Sequence, residues 1–261
     1  MARTPADASS RDDGIDRISP TQRPAGRVVM RQSWRSLFFL HWPVPVETLA
    51  PLLPPGLTLD TWRGVAYLGL VPFTMRGVRP VWSPSVPGLS DFHEVNVRTY
   101  VHREGCDPGV WFFSLDAANP AAVRLARALW HLPYHFARMA LDPLPDGTVV
   151  YDSERLWPGP TPAACRMRAR PLGTPAPAAP GTLEFFLAER YILYARKGDR
   201  LFHGRVHHAP YPLQAGVVDS LENSLTTAAG IAHESTSRPP LVHYSAGVDV
   251  DVYPLQSDQN R

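Results

Sequence analysis

The chain has 261 residues and balances 26 Lys+Arg against 24 Asp+Glu, a formal net charge of +2 that gives no broad field for nucleic acid. Hydrophobic residues make up 44% and charged residues 19%, the balance of a globular protein with one substantial core. Its 29 prolines and 18 glycines favour short elements joined by turns over a helical bundle.

The basic residues are almost all arginine and are spread along the chain, and Lys197 is the sole lysine. Cys106 and Cys165 are the only cysteines and form no Cys-x-x-Cys pair, so no disulfide framework is expected. Met1 to Gly26 lacks the apolar segment of a secretory signal, and no run approaches the ~18 apolar residues needed to span a bilayer. A cytoplasmic, reduced setting follows as an expectation, without membrane or nucleic-acid partners.

Residues 1–30 are polar and without periodicity, and read as a disordered tail. One domain is expected over 31–255, followed by a short tail over 256–261. A first strand runs through Ser36, Phe38 and Leu40 to Trp42, and a short helix over Val46–Leu53 is stopped by Pro54-Pro55-Gly56. Leu57–Asp60 and Val65–Met75 read as strands around a turn at Arg63-Gly64, and Pro80–Leu89 as a loop. A hairpin follows, from Phe92 through a Gly105–Gly109 turn to Leu115.

Asn119-Pro120 opens a helix, because Asn caps the first N–H groups and Pro fits the first helical position. Its apolar stripe is predicted as Ala122, Leu125, Ala126 and Leu129, and Pro133 ends it. Strands are predicted at Tyr134–Leu141, Thr148–Glu154 and Ala164–Arg170, then a loop over Pro171–Pro180 and a short helix over Thr182–Glu189. Tyr191–Arg196 and Leu201–His207 form a hairpin around Lys197-Gly198-Asp199. Leu221–Ala229 reads as a helix and Leu241–Val252 as the last strand.

The segment Phe92-His93-Glu94-Val95-Asn96-Val97-Arg98-Thr99-Tyr100-Val101 carries the most chemistry. With a period of two, Val95, Val97, Thr99 and Val101 share one face, and Glu94, Asn96, Arg98 and Tyr100 the other. A solvated face alternates too, but an acid, an amide, a guanidinium and a phenol together make a recognition surface if the sheet curls inward. Glu94 and Arg98 lie about 13 Å apart along the strand, too far for direct pairing.

The histidines give no metal signature. His203 and His207 share a strand face at a spacing too long to chelate one ion, and no His-Glu-x-x-His or Cys/His pattern exists. Ser114 lacks a nucleophile elbow, and Asp116 reads as serving the turn before the helix. No metal or cofactor is predicted.

Three opening stretches, Trp34–Pro43, Leu53-Pro54-Pro55-Gly56-Leu57 and Gly64–Phe73, resemble the YqjF-like bacterial family (DUF2071) of the acetoacetate decarboxylase-like superfamily. The likeness continues through Phe92–Val101, Phe112–Asp116, Leu132-Pro133-Tyr134, Leu183–Tyr191 and near His208. It implies an α+β, mainly β fold: a strongly curved antiparallel sheet closing into a cone around a small-molecule cavity, with a few short flanking helices. The decarboxylases use a Schiff-base lysine in a Gly-Phe-Pro-Lys segment after a helix, and a glutamate on an earlier strand. The corresponding segment here is His131-Leu132-Pro133-Tyr134-His135, so the resemblance implies Tyr134 at the lysine position and Glu94 as the glutamate.

A phenol forms no Schiff base, and Lys197 in a hairpin turn is no substitute. The chemistry left is acid–base. Glu94 and Tyr134 are the candidate catalytic groups, Arg98 the anion clamp, and Asn96, Tyr100 and His135 further substrate-binding groups. The expected partner is a small carbonyl or carboxylate compound, and a homo-oligomer is compatible with the sequence. A non-catalytic sensor or carrier, and a structural protein with a buried polar network, remain alternatives.

Overall fold

In a computed structural model that describes residues 14–231, 239 and 241–257, the period-two segments form one sheet of thirteen strands. In chain order these are β1 (Met30–Val44), β2 (Thr58–Leu59), β3 (Ala66–Pro80), β4 (Phe92–Arg103), β5 (Cys106–Ala117) and β6 (Tyr134–Pro143). They continue as β7 (Val149–Trp157), β8 (Ala164–Ala176), β9 (Ile192–Lys197), β10 (Arg200–His207), β11 (Leu213–Asn223), β12 (Leu241–Val252) and β13 (Gln256–Ser257). The helices are short: α1 (Val46–Leu49), α2 (Pro120–Leu129), α3 (Leu183–Ala188) and α4 (Leu225–Ala228). No helix among the described residues is long and apolar enough to cross a membrane.

The sheet closes on itself twice. One ring runs β4-β5-β6-β7-β8-β11-β12-β1-β3 and back to β4. The β9–β10 hairpin makes a smaller ring by bridging β5 to β12. All pairings are antiparallel except β5–β6 and β5–β9. The shared wall, β12-β1-β3-β4-β5, buries side chains on both of its faces. On one face Phe38, Leu40, Leu68, Val95 and Val97 pack with Tyr151, Met167 and Val218 from the larger ring. The other face packs against the smaller ring, where Tyr100 meets Phe186 and Leu187 of α3, and Leu115 meets Ala195 of β9.

Closure requires the sheet to fork. On one edge of β5, Val110 and Trp111 pair with β9, while Leu115–Ala117 pair with β6. Gly109 lies at this fork, where an added Cβ would stand 2.5 Å from the Ile192 carbonyl oxygen, so only glycine admits β9 so close. On β12, Asp251 and Val252 pair with β10, and residues 243–245 pair with β11.

The mainly β, curled architecture matches the expectation, but several local readings differ, among them the expected 171–180 loop, into which β8 runs on to Ala176. Leu221–Ala229 is not a helix: Leu213–Asn223 is a strand, because the ring needs a neighbour between β8 and β12, and only Leu225–Ala228 is helical. The β4–β5 turn is tighter than expected, with Arg103 opposite Cys106 across Glu104 and Gly105, both at positive φ.

Helix α2 begins as predicted, with Asn119 Oδ1 accepting from the Ala121 and Ala122 amides. Its inward residue, however, is Val123, and Leu125 and Leu129 are each 56% exposed. The Asn119 side-chain amide also donates to the Leu89 carbonyl at 2.7 Å, which ties down the start of the helix and so its rotation.

The expected tail over 1–30 is anchored from its middle. Residues 1–13 lie outside the described residues, but Arg17 pairs with the buried Asp60 and Arg23 with Asp251, and the Val29 amide donates to Val252. Arginines scattered through a polar segment carry no periodicity, so these long-range anchors leave no local signal. Gln256 and Ser257, assigned to the C-terminal tail, pair with β10, whereas 258–261 lie outside the described residues.

Candidate active site

Strand β4 carries the site, and the period-two rule holds along it. Glu94, Asn96, Arg98 and Tyr100 are all buried on the face shared with the smaller ring. Glu94 faces Phe73 on β3 and Ala117 on β5, a row with no charged neighbour in register. Tyr134, the first residue of β6, donates its hydroxyl proton to Glu94 Oε2 at 2.8 Å. Burial pushes the Glu94 carboxyl up to about 8, against the opposing hydrogen bonds from Tyr134 and the Asn96 side chain. Burial and the same carboxyl hold the Tyr134 phenol well above its usual range. Asn96 Oδ1 is buried without a partner among the described residues.

Arg98 is buried and has no carboxylate partner among the described residues. Its Nη2 reaches the Leu187 carbonyl at 3.2 Å and the Tyr100 hydroxyl at 3.4 Å, and its Nε has no partner among the described residues. The guanidinium lies over Phe39 at 5.5 Å and Tyr100 at 5.6 Å, so aromatic faces supply part of its stabilisation. A buried cation without a counter-charge is costly, and a guanidinium with a spare donor is chemically able to take an anion.

Room for it comes from Gly69, which sits between His41 on β1 and Arg98 on β4. A Cβ there would meet Arg98 Cγ at 3.2 Å and His41 Cδ2 at 3.3 Å. Tyr100 donates to the Leu187 carbonyl at 2.5 Å, and His41 Nε2 lies 2.6 Å from the same hydroxyl. With its proton given to Leu187, the Tyr100 oxygen accepts from His41 and Arg98. Burial and Arg98 keep the His41 imidazole well below its usual range, so it stays neutral.

A circuit of contacts returns from Arg98 to Glu94. Phe39 under Arg98 packs on Tyr211 at 5.2 Å, Tyr211 on His208 at 4.6 Å, His208 on Trp34 at 5.6 Å and Trp34 on Phe73 at 6.1 Å. Phe73 stands opposite Glu94. His208 Nδ1 donates to the Ala209 carbonyl, which leaves Nε2 an unpartnered acceptor, and Trp34 Nε1 is an unpartnered donor among the described residues. Three members of the circuit, Arg98, His208 and Trp34, thus hold orphaned polar atoms among the described residues, as does Asn96 between Glu94 and Arg98 on β4.

One of the sequence-predicted site residues is placed elsewhere. His135 follows Tyr134 on β6 and so takes the opposite face, where its Nδ1 bonds the Pro158 carbonyl at 2.7 Å. It lies beside Asp116, which does not serve the turn: Asp116 accepts two 2.7 Å hydrogen bonds from Arg155 in a fully buried bidentate pair. Tyr100 is on the predicted face, but its hydroxyl is occupied by Leu187 and His41. Sequence reasoning missed His41, Gly69, Trp34 and the role of Asp60, which holds the buried Arg190 at 2.6 Å under α3. A residue like His41 shows only its strand position in sequence, and its partner is 59 residues away. Among the described residues no three histidine, cysteine or acidic side chains come together as metal ligands.

The doubly closed, curled sheet has an acetoacetate decarboxylase-like fold. The acetoacetate decarboxylase of Legionella pneumophila is similar with a TM-score of 0.60 at 14% identity, over 99% of this chain and 98% of that one. The enduracididine biosynthesis enzyme MppR, complexed with the condensation product of pyruvate and imidazole 4-carboxaldehyde, is similar with a TM-score of 0.61 at 12% identity, over 89% and 90%. The chain itself belongs to the DUF2071 family, described as an uncharacterized conserved protein, which matches residues 31–249. The protein YqjF of Bacillus subtilis (strain 168) is 38% identical over 233 residues, 89% of this chain and 94% of that protein.

Proposed function

We propose that the chain binds a small carbonyl- or carboxylate-bearing molecule on the polar stripe of β4 and acts on it by proton transfer. Glu94 is the acid–base group, Tyr134 the hydrogen-bond donor, and Arg98 the group that holds the anion. The observation that carries this is the buried Glu94 carboxyl, pushed up to about 8 and bonded to Tyr134, on the same strand face as Arg98, which has no carboxylate partner among the described residues. A carboxyl poised near neutrality has both forms populated, which suits a group that takes a proton and returns it. The MppR complex, whose ligand is built from pyruvate, supports an oxo acid as the ligand class.

Imine chemistry is not part of this reading. Lys197, the sole lysine, ends β9 in an exposed position, while the Glu94–Tyr134 pair is buried. Borohydride treatment with pyruvate is expected to leave the mass unchanged.

Exchange of the pyruvate methyl protons in D2O, followed by NMR, tests the acid–base role. Exchange above the buffer rate is expected for the wild type and is lost in Glu94→Gln. Exchange that survives this substitution, or no exchange and no binding by the wild type, overturns the proposal.

A further inference from the structure

The two forks of the sheet each open into a concavity, and their charges differ. At the β12 fork a space of about 570 Å³ is lined by Arg23, Arg31 and Arg79, but also by Asp249 and Asp251. Asp251 already pairs with Arg23 and Arg31 there. At the β5 fork a groove of about 750 Å³ opens between β9 and the Leu132-Pro133 segment ahead of β6. Its cations are Arg127, Arg196 and Lys197, and no acidic residue lines it.

Those cations are held by weak partners. Arg127 spends Nη1 on the Tyr134 carbonyl and lies over the Trp157 ring, and Arg196 spends Nε on the Gly198 carbonyl. Asp199, the acid nearest Arg196 at 3.4 Å, is fully exposed. Lys197 forms no ion pair among the described residues. The floor is apolar and aromatic, from Trp111, Phe113, Leu132 and Tyr194. Between Trp111 and Leu115, β5 has no strand beside it on this edge among the described residues, which leaves the floor reachable.

A concave apolar floor with a few convergent cations and no counter-charge is matched by a ligand with an apolar body and one negative end. We propose that the β5 fork is a second binding site, for a hydrophobic monocarboxylate: an aryl or acyl body on the aromatic floor and its carboxylate at Lys197 and the flanking arginines. The proposal does not depend on the reading of the β4 stripe, because none of that stripe's residues lines the groove.

Calorimetric titration of the full chain with 4-phenylbutyrate tests it, with the neutral 4-phenylbutyramide as its partner probe. The acid is expected to bind and the amide to bind at least tenfold more weakly. Lys197→Glu, at an exposed position where folding is not at stake, is expected to weaken the acid at least tenfold, and Lys197→Arg to retain it. Glu94→Gln is expected to leave the affinity unchanged, which separates this groove from the interior stripe. No binding of the acid, equal binding of the amide, indifference to Lys197→Glu, or loss of binding in Glu94→Gln each overturns the proposal.

Discussion

The Tyr134 hydroxyl and the Glu94 carboxyl are 2.8 Å apart, although their strands, β6 and β4, are separated by β5. The bond reaches across that strand because its residue opposite Glu94 is Ala117, too small to block the path. Tyr134→Phe keeps the ring and removes one hydrogen bond, at a cost of roughly 0.5–1.5 kcal/mol. The Tyr134 bond lowers the Glu94 pKa, so its loss is expected to move the carboxyl above about 8. Infrared titration of the protonated carboxyl band, with Glu94→Gln as the blank, reads that shift directly.

A carboxyl that keeps its proton in the fold but loses it when unfolded destabilises the protein as pH rises. Glu94 moves from 4.5 to about 8, so the native state binds the extra proton between those values. Stability attributable to Glu94 therefore falls across about pH 4.5 to 8, by about 1.4 kcal/mol per pH unit within the window. The buried histidines act in the opposite sense. His41 and His208, the latter lowered to about 4, stay neutral in the fold, so stability is lost as pH falls below 6.5. Urea midpoints from pH 5 to 9 are expected to drop for the wild type relative to Glu94→Gln as pH rises. Parallel curves would show that Glu94 is ionised in the fold.

How far the site was legible follows from which rule each residue obeys. Glu94, Asn96, Arg98 and Tyr100 sit on one strand, where alternation alone groups them. The same alternation separates His135 from Tyr134, so a group expected in the site belongs with Asp116 instead. Tyr134 beside Glu94 was implied only by the family resemblance, since no local pattern links residues 40 apart. The partner of Arg98 is a main-chain carbonyl, Leu187, and any residue type supplies one. Strand β11 was hidden because Gly216, Asp219 and Ser220 break its apolar run, and its strand state is imposed by β8 and β12.

Truncation to a chain starting at Arg31 is expected to lower the melting temperature. It removes Arg17, which binds Asp60 through Nη2 at 2.5 Å and Nε at 3.2 Å, together with the Val29 amide bond to Val252. Asp60 is buried and, among the described residues, then keeps only Arg190, whose own charge is also buried. A loss of about 1–3 kcal/mol corresponds to several degrees in a domain of this size. Arg17→Met alone is expected to reproduce much of the fall, whereas an unchanged melting temperature would show that the segment adds nothing to the fold.

On the other face of the shared wall, Asp116 and Arg155 are 0% and 1% exposed at their side chains and bonded twice. Removing one partner strands a buried charge, so Arg155→Met is expected to cost roughly 3–5 kcal/mol by denaturant titration. Replacing both, as Asp116→Leu with Arg155→Met, is expected to cost less than either single change, because no charge is then left unpaired. If the double variant is the least stable of the three, the pair itself contributes net stability.

Gly69 and Arg98 give the sharpest test of the site, because one change crowds the cation and the other redraws it. The Gly69→Ala methyl would lie within 3.3 Å of both His41 and Arg98. Neither neighbour gives way freely: His41 is held on Tyr100, and Arg98 on Leu187. Overpacking at such a point costs about 1–3 kcal/mol. Arg98→Lys leaves the positive charge but removes the planar fork, and an ammonium in the same place has no second arm for a carboxylate. Pyruvate binding by calorimetry is therefore expected to fall in both variants, and Arg98→Lys to behave like Arg98→Met. If lysine restores binding, Arg98 contributes only its charge and the bidentate reading is wrong. If both Arg98 variants bind pyruvate as the wild type does, the anion is held elsewhere and the stripe's cation is purely structural.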